Sequence, residues 1–178
     1  MPFAYYDRLS ASDRAIYRKS DATPALVLPQ AERFRPLVEG LERALEREDR
    51  REIETVASDL ALGLARQLSL PPVGLQVLAV RPSAKWGELH GLYTRDDGRP
   101  PRVQLWMRTA RHRRAVAFRT FLRTLLHEVG HHLDYELLGL PDSFHTEGFF
   151  KRESSLFRQL VPETPPRPQD SEPLPGLK

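Results

Sequence analysis

Apolar residues recur at helical spacing through the first third of the chain. Leu37, Leu41 and Leu45 stand four residues apart, and Val56, Leu60, Leu64 and Leu68 repeat the interval. This predicts helices across 30–68. The charged run 46–54 marks a break or an exposed middle, and Pro71-Pro72 closes the helical region. A shorter helix is expected at 12–19, capped by Ser10 or Ser12, followed by an extended segment at 23–29. The pattern then shortens to that of strands. Residues 75–80 partly alternate, 88–94 form a weaker run, and 103–107 (Val-Gln-Leu-Trp-Met) a third. Asp96-Asp97-Gly98 is a turn signal, so the last two runs suit a hairpin. Beyond Arg108 the helical period returns and holds to about Leu138, where Gly139 and Pro141 stop it. A final helix is expected at 146–160. No internal repeat is visible.

This order of elements predicts an α+β fold: N-terminal helices, a small three-stranded sheet, a long helix and one more helix. Residues 1–29 are expected to pack along a domain spanning 30–161. Residues 162–178 hold six prolines and almost no bulky apolar side chains, the composition of a flexible tail.

Composition narrows the chemistry. The 178 residues contain no cysteine, which excludes disulfides, thiolate zinc sites, iron–sulfur clusters and cysteine nucleophiles. The first residues carry no apolar stretch like that of a secretory signal. No apolar run approaches the roughly 20 residues that cross a bilayer. The expectation is a soluble, cytoplasmic protein with no membrane partner. Net charge is +3, and 23 of the 27 basic residues are Arg. That balance alone says little about partners.

One motif carries specific chemistry. His127-Glu128-Val129-Gly130-His131 is an HExxH sequence inside the long predicted helix. Residues four apart lie one turn apart on one helix face, so both imidazoles can reach one zinc ion at about 2 Å. Glu128 is rotated by roughly 100° from His127. From there it can act as general base on a water that the metal activates, without itself binding the ion. Gly130 keeps the neighbouring surface small. The alternative is a pair of ordinary core or surface histidines, and the helical wheel weighs against it. With His127 at zero, Phe118, Leu122, Leu125, Val129 and Leu133 fall between roughly 160° and 240°. His127, His131, Asp134 and Thr120 lie on the opposite side.

A catalytic zinc takes three protein ligands and keeps a fourth position open. Two downstream residues compete for third place. His145 lies 14 residues past His131, just before Thr146, a candidate cap for the last helix. Glu153 lies 22 residues past His131, in the middle of that helix's apolar face. A carboxylate there needs a partner: zinc, an Arg, or a ligating histidine. Ligand chemistry favours His145, with Glu153 as the alternative or as a group behind a ligand. Asp134 is a second carboxylate able to accept a ring N–H from a ligating histidine. His132 points towards the core side, and His90 and His112 have no evident metal partners.

HExxH on a helix, with three short strands before it and one helix after, resembles the minimal zincin metalloprotease domain. The stretch from His127 to Phe150 is similar to the SprT-like and WLM zinc metallopeptidases. In these a third histidine follows in a short His-x-x-x-aromatic segment, here His145-Thr146-Glu147-Gly148-Phe149. Thermolysin-like gluzincins are a second resemblance, with a Glu ligand in the following helix, where Glu153 stands. Their NExxSD pattern is absent here, and the metzincin pattern fails because position 134 is Asp and 137 is Leu.

The resemblance implies one Zn2+ per chain and hydrolysis of a peptide or protein substrate with Glu128 as base. It also implies an extended substrate paired with an edge strand, for which 103–107 is the candidate. Two other function classes stand beside this one. The zinc site can staple a non-catalytic interaction module, although an intact Glu128 is not needed for that. Arg108, Arg111, Arg113, Arg114, Arg119 and Arg123 can form a nucleic-acid surface, or simply a solvated face of an Arg-rich protein.

Overall fold

The computed structural model describes residues 3–162 except Trp86 and Asp97. Most of the Pro-rich stretch (163–178) and the middle of the Asp96-Asp97-Gly98 signal thus lie outside the described residues. Helix α1 (Ala11–Asp21) is capped by Ser10, whose Oγ accepts from the Asp13 N–H at 3.1 Å. Helices α2 (Arg35–Glu46) and α3 (Arg50–Gln67) divide within the charged run, and Asp49 caps the second of them. The break turns through Glu48, whose φ is +53°. The leucine rows do what their spacing implies. Leu41, Leu45, Leu60 and Leu64 are buried between the two helices and the sheet.

The sheet holds β1 (Gly74–Val80), β4 (Gly91–Thr94) and β5 (Arg102–Arg108) in the order β1-β5-β4. Strand β1 runs parallel to β5, and β4 pairs antiparallel with it, Gly91 opposite Leu105 and Tyr93 opposite Val103. The expected hairpin therefore forms. Two short strands, β2 (Ser83–Ala84) and β3 (Gly87–Glu88), pair separately; their two-residue length leaves no alternation to read in the sequence.

One expectation is corrected. Residues 103–107 are not an edge strand, because β1 and β4 flank β5 on its two sides. Their burial agrees: Val103, Leu105 and Met107 lie at the centre of the core. The edge beside the long helix is β4.

Helix α4 (Phe118–Glu136) lies on this sheet through Phe121, Leu122, Leu125, Val129 and Leu133. Helix α5 (Glu147–Leu160) adds Leu156, Phe157 and Leu160 to the same core. The result is the expected α+β architecture. No helix among the described residues is long and apolar enough to cross a membrane.

Candidate metal centre

Helix α4 turns its apolar stripe to the sheet, which leaves His127 and His131 on the face towards α5 and the α4–α5 connection. His145 closes on them from that connection. It directly precedes Thr146, whose Oγ1 accepts from the Phe149 N–H at 3.0 Å and starts α5. The three rings meet tip to tip. His145 Nε2 lies 3.0 Å from His127 Nε2 and 3.2 Å from His131 Nε2. One nitrogen from each ring falls within 4.8 Å of the other two. Four-coordinate zinc with bonds of about 2.05 Å sets its ligand atoms about 3.3 Å apart.

The outer ring nitrogens fix which nitrogen is free. His127 Nδ1 faces Glu153 Oε2 at 3.3 Å. His131 Nδ1 faces Ser143 Oγ at 2.8 Å, and that hydroxyl donates to Asp134 Oδ2 at 2.8 Å. A hydroxyl whose proton is committed to a carboxylate accepts from the ring. This network assigns the Nδ1–H tautomer to both His127 and His131. Their Nε2 lone pairs then point at one spot, and His145 can donate to only one of them. A cation at that spot relieves the conflict, so the donor set fits a metal. Burial, with help from His127 and His145, pushes the His131 pKa down to about 3. Burial also lowers that of His145, with His127 adding to it and Glu153 opposing. Both shifts favour the neutral ring, the form that can bind a metal.

Glu153 thus lies on the outer nitrogen of His127, away from the three converging Nε2 atoms. Its other oxygen meets Arg123 Nη1 at 3.4 Å. Asp134 also stands behind the site, but it reaches His131 through Ser143 and not directly. Its burial needs a counter-charge, and Arg152 supplies it at 2.5 Å. Arg152 is itself buried and donates to the carbonyls of Ser20 and Thr23, so it takes no part in the cleft. His132 is fully buried, between Pro71 O at 2.9 Å and the Tyr93 hydroxyl at 3.1 Å.

Glu128 sits beside the histidines, 5% exposed, against the backbone of β4. A Cβ on Gly91 would come within 2.8 Å of Glu128 Cγ and Thr124 Cγ2, and closer still to Oε1. Burial pushes the Glu128 pKa up to about 7, against the pull of His127 and the Tyr93 backbone N–H. A dication nearby would favour its carboxylate form. On the other side of α4, the Phe149 ring rests on Gly130, where a Cβ would meet it at 3.0 Å.

Comparison with known families, curated proteins and solved structures finds no match to this chain. A cleft of about 620 Å³ opens over the histidines, walled by residues 88–93 on one side and Arg123, Thr124 and Glu153 on the other. Tyr135 and Ser143 also line it.

The six arginines of 108–123 make different contacts. Arg108 pairs with Glu48, while Arg119 and Arg123 lie over the Phe157 ring. Arg111, Arg113 and Arg114 are exposed on the loop before α4, as is His112.

Three contributors had no usable signal in the sequence. Ser143 was only a hydroxyl two residues from a candidate ligand. Gly91 matters through a close approach between strand and helix. Tyr5 donates its hydroxyl to the His145 carbonyl at 2.8 Å across 140 residues of sequence.

Proposed function

We propose that this chain is a zinc-dependent metallopeptidase of the zincin type, cutting peptide or protein substrates in the cleft beside β4. The observation that carries the reading is the convergence of three imidazole nitrogens, 3.0 and 3.2 Å apart, next to a buried glutamate. A structural zinc needs a closed ligand set, whereas three ligands facing an open cleft leave a position for water. His127, His131 and His145 would hold the ion. When bound, zinc would lower the pKa of a coordinated water and polarise the substrate carbonyl.

The remaining chemistry belongs to the chain. Glu128, buried beside the histidines, accepts a proton from the attacking water at its carboxylate and returns it to the leaving amine. Glu153 and Ser143 orient the two helix histidines through their Nδ1 protons. The edge of β4 away from β5 offers main-chain groups to an extended substrate.

The test measures zinc in the purified chain by elemental analysis, then cleavage of an unstructured protein with and without chelator. About one zinc per chain, and cleavage lost to chelator, support the reading. Glu128→Gln should keep the zinc and lose cleavage by about 10²-fold or more. A chain that takes up no zinc defeats the proposal. Cleavage that survives Glu128→Gln removes Glu128 from its role.

A further inference from the structure

The three ligands are not equally supported. His127 and His131 ride on a nineteen-residue helix, and each has a partner on its outer nitrogen. His145 belongs to the connection between α4 and α5. What holds it from behind is the start of the chain.

The contacts are specific. Tyr5 Oη donates to the His145 carbonyl at 2.8 Å. The Phe3 ring packs edge-on against Phe150, with centroids 6.1 Å apart, and Phe150 lies 5.8 Å from the His145 ring. The same short segment is fastened to α1. Tyr5 and Tyr6 pack edge-on against the buried Tyr17, and the Phe3 N–H donates to the Tyr17 hydroxyl at 3.0 Å. Helix α1 is in turn anchored to the first turn of α5. Asp21 Oδ1 accepts from the Gly148 N–H at 2.6 Å, and Ser20 Oγ meets Thr146 Oγ1 at 3.1 Å. A Cβ on Gly148 would fall 2.6 Å from Asp21 Cα, so α1 and α5 touch backbone to backbone.

We infer that Tyr5 is a positioning residue for the third ligand, so that docking of residues 3–9 and metal binding at His127, His131 and His145 stabilise each other. This rests on the metal-centre reading above. A ligand on a loop loses conformational freedom when it binds an ion, and a loop already held in place has less to lose. The Tyr5 hydrogen bond fixes the His145 backbone at the turn that aims its ring. By linkage, whatever the docked segment adds to metal affinity, bound metal adds to docking of the segment.

The experiment uses the full chain and zinc alone. Tyr5→Phe removes one hydroxyl and keeps the ring stack. Its zinc affinity, read by competition with a chromophoric chelator, should fall about tenfold. Thr55→Val, which removes a hydroxyl bonded to the Arg51 carbonyl on α3, away from both the segment and the centre, should leave affinity unchanged. In the parent chain, saturating zinc should slow tryptic cleavage after the exposed Arg8, followed by mass spectrometry. That slowing should shrink in Tyr5→Phe. An affinity within about twofold of the parent, or cleavage after Arg8 indifferent to zinc, overturns the inference. A parent that binds no zinc removes both this inference and the metal centre. A parent that binds zinc as tightly as Tyr5→Phe removes this inference alone.

Discussion

Ser143 Oγ lies 2.8 Å from His131 Nδ1 and carries the influence of a buried carboxylate to that ring. The hydroxyl donates to Asp134 and accepts from His131, so it sets the ring's tautomer without carrying charge. Ser143→Ala should leave His131 Nδ1 without its acceptor. Zinc affinity should drop about 10- to 100-fold, measured by chelator competition, with the fold unchanged by circular dichroism. Unaltered affinity would show that the helix alone orients the ring.

The Arg152–Asp134 pair should matter chiefly for stability. Arg152 is 1% exposed and Asp134 fully buried, and the guanidinium also serves Ser20 O and Thr23 O on the N-terminal side. Even with Arg152 beside it, burial keeps the Asp134 pKa above its ordinary value. Arg152→Met leaves the buried Asp134 carboxylate without its counter-charge and takes a donor from the Ser20 and Thr23 carbonyls. The expected loss is about 3–5 kcal/mol, a drop in Tm of the apo-protein of roughly 10 °C. A shift of only a degree or two would mean that water reaches these groups.

The sequence made the framework legible because periodicity reports burial. Leu41, Leu60 and Leu125 could be assigned to a core before any contact was known, and the Thr146 cap announces itself by residue type. Spacing put His127 and His131 on one face. It did not order the strands: a run as apolar as 103–107 signals burial on both faces, which is the mark of the central β5 and not of an edge. Glu153 was legible as a buried carboxylate needing a partner, but not as the partner of His127. Which oxygen faces which nitrogen depends on how α5 docks on α4. Ser143, Gly91 and Tyr5 act across gaps that no local pattern spans.

Gly91 is packed against Glu128 and Thr124, and none of the three histidines is among the nearest atoms to a Cβ built there. Gly91→Ala should therefore displace the Glu128 carboxylate and leave zinc bound. The expected outcome is a full complement of zinc by elemental analysis, with kcat on an unstructured protein reduced about 10²-fold or more. Loss of zinc together with activity would mean that the substitution shifts β4 against α4 as a whole.

His145 and Glu153 meet the histidine cluster in different ways. His145 presents Nε2 3.0 Å from His127 Nε2 and 3.2 Å from His131 Nε2. Glu153 presents its oxygens to His127 Nδ1 and Arg123, both away from that centre. Replacing a ligand removes a bond to the ion, whereas replacing its support only loosens the ring. His145→Ala should abolish stoichiometric zinc, and added zinc should not restore it. Glu153→Ala should retain one zinc per chain at saturation, with affinity about 10- to 100-fold weaker. The reverse pattern, full zinc in His145→Ala and none in Glu153→Ala, would make Glu153 the third ligand and the centre gluzincin-like. Arg123 offers an internal control. Arg123→Ala removes the outer partner of Glu153 and a guanidinium over the Phe157 ring but no group that touches the imidazoles, so its effect on affinity should be smaller than that of Glu153→Ala and act in the same direction.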